Sequence, residues 1–229
     1  MEKNLLTNAG PVLEKVNRRY FLRSAGVAAA TGAFIMSCTL EDHEVDSQVV
    51  DLGTGDVGIL NYAYALEQLE AAFYTQVIAT PYSGMTAEEK TILTDIMYHE
   101  IIHRQFFKAA LGGAAIKGLT PNFAGINFSD RASVLGAAKI FEDTGVSAYN
   151  GAGNLITDVN YLLVAGKIVS VEARHASAIR DLLNPNSADF AGDDIIDANG
   201  LDLASKPGVI LPAVQPFVVN KISGSGLPQ

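Results

Sequence analysis

The chain has 229 residues, of which 48% are hydrophobic, and carries a formal net charge of −9. This length suits one domain with a sizeable core plus appendages, and the acidic balance argues against a nucleic-acid partner. A single cysteine, Cys38, excludes an internal disulfide framework and a cysteine-based zinc cluster. Any metal ion must therefore be held by Glu, Asp and His.

Residues 1–38 are predicted to be a signal peptide. Arg18 and Arg19 are followed by Phe21 and Leu22, a pattern that resembles the twin-arginine export signal. The Ala- and Gly-rich run after them is too short for a stable membrane span. We expect export by the twin-arginine route, and the alternative is a basic amphipathic helix at the start of a cytosolic protein.

The end of this segment, Ile35-Met36-Ser37-Cys38, resembles a lipobox, after which a bacterial lipoprotein is cleaved and lipidated. The predicted lipidation site is Cys38; the alternative is cleavage nearby that leaves this cysteine without a role. Residues 39–55 read as an acidic tether in which His43 is solvated. We expect the protein to be periplasmic or to be anchored by a lipid in the bacterial cell envelope. It would contact the membrane only through the signal peptide or the lipid.

A four-helix bundle is predicted over residues 56–184. Asp56 is a candidate cap for the first helix, which ends before Pro81. Thr86 and Glu89 have the spacing of a capping box, in which each side chain satisfies a free backbone amide of the other residue. A second helix, over about residues 87–111, follows from this signal.

The third predicted helix begins at Ser129 or Asp130 and runs to about residue 150, with Gly145 as a weak point inside it. The fourth begins at Thr157 or Asp158 and ends at Leu183, before Asn184-Pro185. Short loops join helices one and two, and also three and four, so each pair is predicted to be an antiparallel hairpin.

The connection between the two hairpins, AAIKGLTPNFAGINF, sets the predicted topology. Fully extended, it spans roughly 50 Å, whereas a helix of 25 residues is only about 37 Å long. The connection can therefore cross the length of the bundle and give an up-down-down-up order. The predicted fold class is all-α, with an irregular C-terminal extension (residues 185–229) packed on the bundle.

The two hairpins carry a repeated pattern. In each half, a Glu precedes a Tyr by seven residues, and a Glu-x-x-His follows; the two glutamates of a half are 33 or 30 residues apart. The first half contributes Glu67, Tyr74, Glu100 and His103, and the second contributes Glu142, Tyr149, Glu172 and His175.

Helical geometry gives this spacing a chemical meaning. Residues i and i+3 project from one face about 5–6 Å apart, so the Glu and His of each Glu-x-x-His can bind the same ion. If all four helices turn these positions inward, four carboxylates and two imidazoles converge. Cations would compensate the buried charge, and this ligand set suits a pair of iron or manganese ions. The predicted ligands are Glu67, Glu100, His103, Glu142, Glu172 and His175.

Several alternatives accompany this prediction. A single Glu-x-x-His is usually a solvated pair, but two within matching repeats favour a metal site. Glu70 lies on nearly the same helix face as Glu67 and is an alternative to it. Tyr74 and Tyr149 are candidates to hydrogen-bond the ligands or carry an electron, or they are core tyrosines bonded to other buried groups. His99 points about 100° away from the neighbouring ligand around the helix and is left out of the predicted site.

This constellation resembles the ferritin-like di-iron carboxylate family, whose bundles carry this ligand set. The closest likeness is to exported ferritin-like domain proteins related to plant desiccation-related proteins, over about residues 57–229. It is carried by LEQLEAAFY, FEDTGVSAYNGA and PAVQPFVVNKISGSGLP. The resemblance implies a centre of two iron ions, with manganese as an alternative. It also implies that Glu67 and Glu142 are terminal ligands, that Glu100 and Glu172 bridge the metals, and that His103 and His175 each complete one ion.

The leading functional hypothesis is a di-metal oxidoreductase that acts on oxygen or peroxide, as a ferroxidase or peroxidase does. The alternative is a non-enzymatic envelope or stress-protective module whose metal site is structural or vestigial. A third hypothesis is manganese-catalase chemistry, which uses a related ligand set. A dimer is one assembly compatible with the sequence.

Overall fold

The structure of the protein is a computed structural model that describes residues 49–228. Its framework is four long helices of 23 to 25 residues each. They are α1 (Gly55–Ala79), α2 (Ala87–Leu111), α3 (Arg131–Gly153) and α4 (Val159–Leu183). The predicted all-α four-helix architecture is therefore confirmed. Across this described part of the chain, none of the helices combines the length and apolar character that crossing a membrane requires.

The predicted signal peptide (residues 1–38), with Cys38, and the first part of the predicted tether, with His43, lie outside the described residues. The prediction of a twin-arginine signal and of lipidation at Cys38 therefore remains a prediction.

Three of the four helix starts follow the side-chain signals in the sequence. Thr86 Oγ1 accepts a hydrogen bond from the Glu89 amide, and the Glu89 carboxylate accepts one from the Thr86 amide, at 3.1 and 2.8 Å. Asp130 caps α3 by accepting from the Ser133 amide at 2.8 Å. Asp158 caps α4 by accepting from the amide two residues on. In α3 and α4, the cap is the second of the two residues proposed from sequence.

The predicted capping role of Asp56 is wrong. The residue before α1 is Thr54, which makes no side-chain capping bond. Asp56 lies within the first turn, and its carboxylate accepts hydrogen bonds from the backbone amides of Thr157 and Asp158 at 2.8 and 2.7 Å. It therefore satisfies free amides at the start of α4 instead of those of its own helix.

Hydrogen bonds at the two ends of the bundle establish the helix directions. The Asp56 contacts bring the starts of α1 and α4 to the same end of the bundle. At the opposite end, Arg131 at the start of α3 donates to Glu89 at the start of α2, at 2.6 Å, and to the Leu182 carbonyl near the end of α4, at 2.7 Å. The bundle is therefore up-down-down-up, as predicted.

The connection from α2 to α3 is held against α1 by two buried amides. Asn61 donates to the Ala114 carbonyl at 2.9 Å and accepts from the Ile116 amide at 3.0 Å. Gln68, two turns further along α1, accepts from the Leu119 amide at 2.8 Å. These bonds give hydrogen-bond partners to backbone groups of the connection and fix it against α1.

The C-terminal extension is largely irregular but adds two short elements. These are a helix, α5 (Pro207–Val214), and a strand, β2 (Ile222–Ser223), which pairs in parallel with β1 (Val50–Asp51). The extension packs on the bundle through Phe217, whose ring centroid lies 4.8 Å from that of Phe141 in an edge-to-face contact.

The predicted C-terminal boundary of the tether, residues 39–55, is too late in the sequence. Leu52 is fully buried in the main hydrophobic core, and its carbonyl accepts from the Asn61 side chain at 3.2 Å. The amide of Val50 donates to the Lys221 carbonyl at 2.8 Å. Residues from Val50 onward therefore belong to the folded unit, because their apolar side chains and backbone groups find partners there.

Candidate metal centre

Each of the four long helices contributes a fully buried glutamate to the interior of the bundle. The side chains of Glu67, Glu100, Glu142 and Glu172 are at 0% exposure. An ionised carboxylate is costly to bury without a compensating charge, so four of them in one place require an explanation beyond packing.

Two histidines lie among these carboxylates, each one turn after a glutamate of its own helix. His103 Nδ1 is 2.8 Å from Glu172 and 3.4 Å from Glu67. His175 Nδ1 is 2.8 Å from Glu100 and 3.5 Å from Glu142. Each histidine therefore faces carboxylates from other helices as well as from its own.

The six predicted ligands form two overlapping groups, each with its ligand atoms within 4.8 Å of one another. We call them the His103 position (Glu67, Glu100, His103, Glu172) and the His175 position (Glu100, Glu142, Glu172, His175). Glu100 and Glu172 belong to both. The geometry thus has two adjacent cation positions that share two carboxylates.

Many of the converging atoms have no hydrogen bond, although they are buried and close together. They are Glu67 Oε2, both oxygens of Glu100, His103 Nδ1, Glu142 Oε2 and Glu172 Oε1. Buried polar atoms are nearly always satisfied, and unsatisfied atoms that surround a common centre could hold a cation. The donor set of carboxylate and imidazole fits iron or manganese.

The two predicted tyrosines hydrogen-bond the two outer glutamates, and each bonds the glutamate of the opposite half. Tyr74 Oη donates to Glu142 Oε1 at 2.5 Å, and Tyr149 Oη donates to Glu67 Oε1. Seven residues advance a helix by about 10.5 Å, so a tyrosine lies beyond the reach of the glutamate in its own helix. Because α1 and α3 are antiparallel, it comes level with the glutamate of the other helix.

The buried groups of the cluster shift one another's pKa values. Burial raises the pKa of Glu142 to about 8, and burial and the charge of Glu172 raise that of Glu67. Contacts with His103 and His175 outweigh burial at Glu100 and lower its pKa to about 2. The same carboxylate contacts raise the pKa of both histidines against the effect of burial, to about 12 for His175.

Glu70, the sequence alternative to Glu67, lies in neither cation position. It is buried at 3% exposure, and burial followed by the charges of Glu100 and Glu142 raises its pKa well above the usual value. Gly145, predicted as a weak point, does not interrupt α3. A Cβ at Gly145 would lie 3.1 Å from Glu70 Oε1, so the glycine leaves room for this fifth carboxylate.

One residue of the site was missed in the sequence. His99 Nδ1 lies 2.8 Å from His175 Nε2, on the side of the imidazole that faces away from the carboxylates. The available signal was the four-residue spacing of His99 and His103, which places both on the same face of α2. His99 was left out because it points about 100° away from Glu100 around the helix. It nevertheless reaches the site because α4 packs beside α2 and brings His175 to this face.

Comparison with known protein families agrees with this geometry. The family model described as a ferritin-like domain matches residues 55–185, more than half of the chain and all four long helices. A comparison with curated proteins found no match. The fold, the buried cluster of glutamates and histidines and the family match point to the same conclusion: this chain belongs to the ferritin-like domain family.

Proposed function

We propose that the protein binds a dinuclear metal centre, with iron as the preferred metal and manganese as the alternative, and carries out redox chemistry with oxygen or peroxide. The observation that supports this most directly is the convergence of six buried ligands in two positions that share Glu100 and Glu172. Several of their buried ligand atoms form no hydrogen bond with the described residues, and together they fit a pair of cations.

The roles of the side chains follow from the two groups. Glu100 and Glu172 are shared and would bridge the ions. Glu67 with His103 completes one position, and Glu142 with His175 completes the other. The histidines must bind through Nδ1, which is the nitrogen that faces the carboxylates.

When bound, two iron ions supply electrons for the reduction of oxygen or peroxide. The residues of the chain provide the surroundings for that chemistry. Tyr74 and Tyr149 orient the outer carboxylates by hydrogen bonds. The complete burial of Glu100 and Glu172 keeps water out of the shared region. The protons held by Glu67 and Glu142 in the metal-free state must leave when a cation binds.

The test is elemental analysis of the protein purified without added metal or chelator, beside a Glu100→Ala, Glu172→Ala double variant. The expected result is about two iron or manganese ions per chain in the wild type, and none in the double variant, because both bridging ligands are lost. Glu88→Ala is the matched control, since Glu88 lies on α2 but is exposed. Equal metal content in wild type and double variant would overturn the proposal.

Assays with oxygen and peroxide then separate the reaction types. Oxidation of added ferrous ion indicates ferroxidase activity, reductant-dependent loss of peroxide indicates peroxidase activity, and peroxide disproportionation without a reductant indicates catalase-like chemistry. The absence of all three in protein that holds its full complement of metal would refute the redox part of the proposal.

A second candidate function is non-enzymatic. In this case the metal ions would stabilise the bundle, and the protein would serve as a protective or binding protein of the envelope. The observation in its favour is that the ligands come from all four helices, so bound ions would cross-link the whole bundle. In that case metal removal should lower the melting temperature strongly, and none of the redox assays should show turnover.

We also propose that the protein is exported and anchored to the cell envelope through Cys38. Support comes from the sequence, in Arg18, Arg19 and the lipobox-like segment that ends at Cys38. Cell fractionation of an Arg18→Lys, Arg19→Lys variant should show cytoplasmic retention, and Cys38→Ala should release the protein from the membrane fraction. Unchanged fractionation in both variants would contradict this assignment.

A further inference from the structure

The two histidines of the candidate metal centre differ in the surroundings of the ring nitrogen that faces away from the carboxylates. His175 Nδ1 faces Glu100 and Glu172, at 2.8 and 3.2 Å. Its other nitrogen, Nε2, therefore points out of the cluster, where it lies 2.8 Å from His99 Nδ1. The side chain of His99 is itself exposed on α2.

The rings of His99 and His175 meet edge to edge. Their centroids are 5.1 Å apart and their planes differ by 13°. The centroid distance equals the 2.8 Å N···N distance plus roughly one ring radius at each end. The two nitrogens therefore lie between the rings and close to the line that joins them, which is the arrangement of a nearly straight hydrogen bond.

This hydrogen bond determines which nitrogen of His175 is free to bind metal. A neutral imidazole carries one N–H and one lone pair. If Nε2 donates its N–H to His99, the lone pair is on Nδ1 and faces Glu100 and Glu172. The ring is also held in one orientation, since both of its nitrogens then have defined partners.

His103 lacks such a partner. Its ion pairs with described residues, to Glu67, Glu100 and Glu172, are all made by Nδ1. In the repeat, the residue that corresponds to His99 is Val171, since it precedes Glu172 as His99 precedes Glu100. Valine has no polar side-chain atom, so the repeat itself creates an asymmetry between the two imidazoles.

We propose that His99 is a positioning residue that makes the two metal positions unequal, so that the His175 position binds a divalent cation more tightly than the His103 position. The proposal rests on the metal-binding function proposed above. The two outer carboxylates do not explain such a difference, because Glu142 and Glu67 each accept a hydrogen bond from one tyrosine. The imidazoles differ, because only His175 has its second nitrogen bonded by a described residue.

The test is titration of the metal-free full chain with Mn²⁺, followed by calorimetry and by the EPR signal of the free ion. In the wild type, the expected isotherm has two steps. Loss of a hydrogen-bond partner of a metal ligand typically lowers affinity roughly 10- to 100-fold. In His99→Leu, the tighter step should weaken by this factor, and the two steps should merge while the number of bound ions stays the same.

Three further variants make the result specific. His99→Gln keeps a side-chain acceptor and should restore the tighter step at least in part. Val171→His places a partner at the corresponding position and should tighten the weaker step. Glu142→Gln should remove the tighter step and Glu67→Gln the weaker one, because each of these glutamates belongs to only one position.

The outcomes separate this inference from the function on which it rests. Absence of Mn²⁺ binding by the wild type would overturn the proposed metal function and this inference with it. Two steps that remain equally separated in His99→Leu would overturn the inference alone, because the separation would then come from repulsion between the two ions. An equal weakening of both steps would overturn it as well.

Discussion

Tyr149 donates its phenolic hydroxyl to Glu67, a residue 82 positions away in the other half of the repeat. Tyr74 does the same for Glu142 over 68 positions. Each half of the molecule therefore supplies an outer glutamate and the tyrosine that orients the outer glutamate of the other half. The two hairpins depend on each other at the site, and neither forms a complete set of contacts alone.

Replacement of either tyrosine by phenylalanine should weaken metal binding while the fold is kept. Tyr74→Phe removes the hydrogen bond to Glu142, and Tyr149→Phe removes that to Glu67. We expect a loss of affinity of roughly 10- to 100-fold at the one position that each glutamate completes. Calorimetric titration with Mn²⁺ measures this effect.

The control for this pair is Tyr62→Phe. Tyr62 is also buried, at 1% exposure, but its hydroxyl has no hydrogen-bond partner among the described residues. Metal affinity should be unchanged in this variant. A similar loss in all three variants would show that the tyrosines act through packing instead of through the hydroxyl.

The metal-free protein should lose stability as pH rises from about 4.5 to about 8. The folded state keeps a proton on Glu142, with its pKa raised from 4.5 to about 8, whereas the unfolded state releases it, so the free energy of unfolding falls across this window. His175, with its pKa raised from 6.5 to about 12, acts in the same direction above pH 6.5. Glu100, with its pKa lowered to about 2, adds stability that is lost only below pH 4.5.

Urea unfolding of chelator-treated protein at pH 5 and pH 8 tests this expectation. Glu142→Gln cannot titrate at that position, so its stability should change less between the two pH values. A metal-free wild type that is more stable at pH 8 than at pH 5 would show that Glu142 is already ionised in the fold.

Metal binding near pH 7 should release protons. The pKa values of Glu67, Glu142 and both histidines are raised, and groups that carry a proton must lose it to bind metal. The observed enthalpy of Mn²⁺ binding should therefore depend on the ionisation enthalpy of the buffer, and affinity should rise with pH. Equal enthalpies in phosphate and Tris would contradict proton release.

Arg180 should be a major structural residue outside the metal centre. Its guanidinium is 2% exposed and bonds both oxygens of Asp143, at 2.8 Å each, as well as Asp194. Arg180→Ala leaves the half-buried Asp143 without its counter-charge, which costs about 1–3 kcal/mol. Lys139→Ala is the control, because Lys139 also pairs with Asp194, but at the exposed surface and at 3.4 Å, which is worth about 1 kcal/mol or less. Urea unfolding of both variants should show this difference, and equal losses would contradict it.

Two glycines of α3 should respond in opposite ways to substitution by alanine. A Cβ at Gly151 would lie 2.0 Å from the Ser205 carbonyl oxygen, so Gly151→Ala forces the extension away from α3. The expected loss is about 1–3 kcal/mol, with faster proteolysis near Ser205. Gly136 has no atom within 4 Å of an added Cβ, so Gly136→Ala should stabilise the helix by about 0.5–1 kcal/mol. An unfolding midpoint of Gly151→Ala equal to or above that of the wild type would refute the contact at Gly151.

Local signals in the sequence predicted most of the helical framework. The capping pair Thr86 and Glu89 and the cap at Asp130 involve residues three apart, so their geometry follows from the chain itself. The helix directions were also predictable, because the loop lengths allow few other arrangements. The repeat of Glu and Glu-x-x-His identified side chains that the fold brings together, since residues three apart share a helix face.

The remaining features depend on which helix packs beside which and at what height, and no local pattern encodes that. Asp56 binds the backbone amides at the start of α4 because the two helix starts meet in space. His99 reaches His175 because α2 and α4 are neighbours. By itself, the sequence determined the helices and the spacing of the ligands, through local backbone geometry. Only the tertiary structure decided which side chains complete and orient the site, because those contacts join residues that are far apart in the chain.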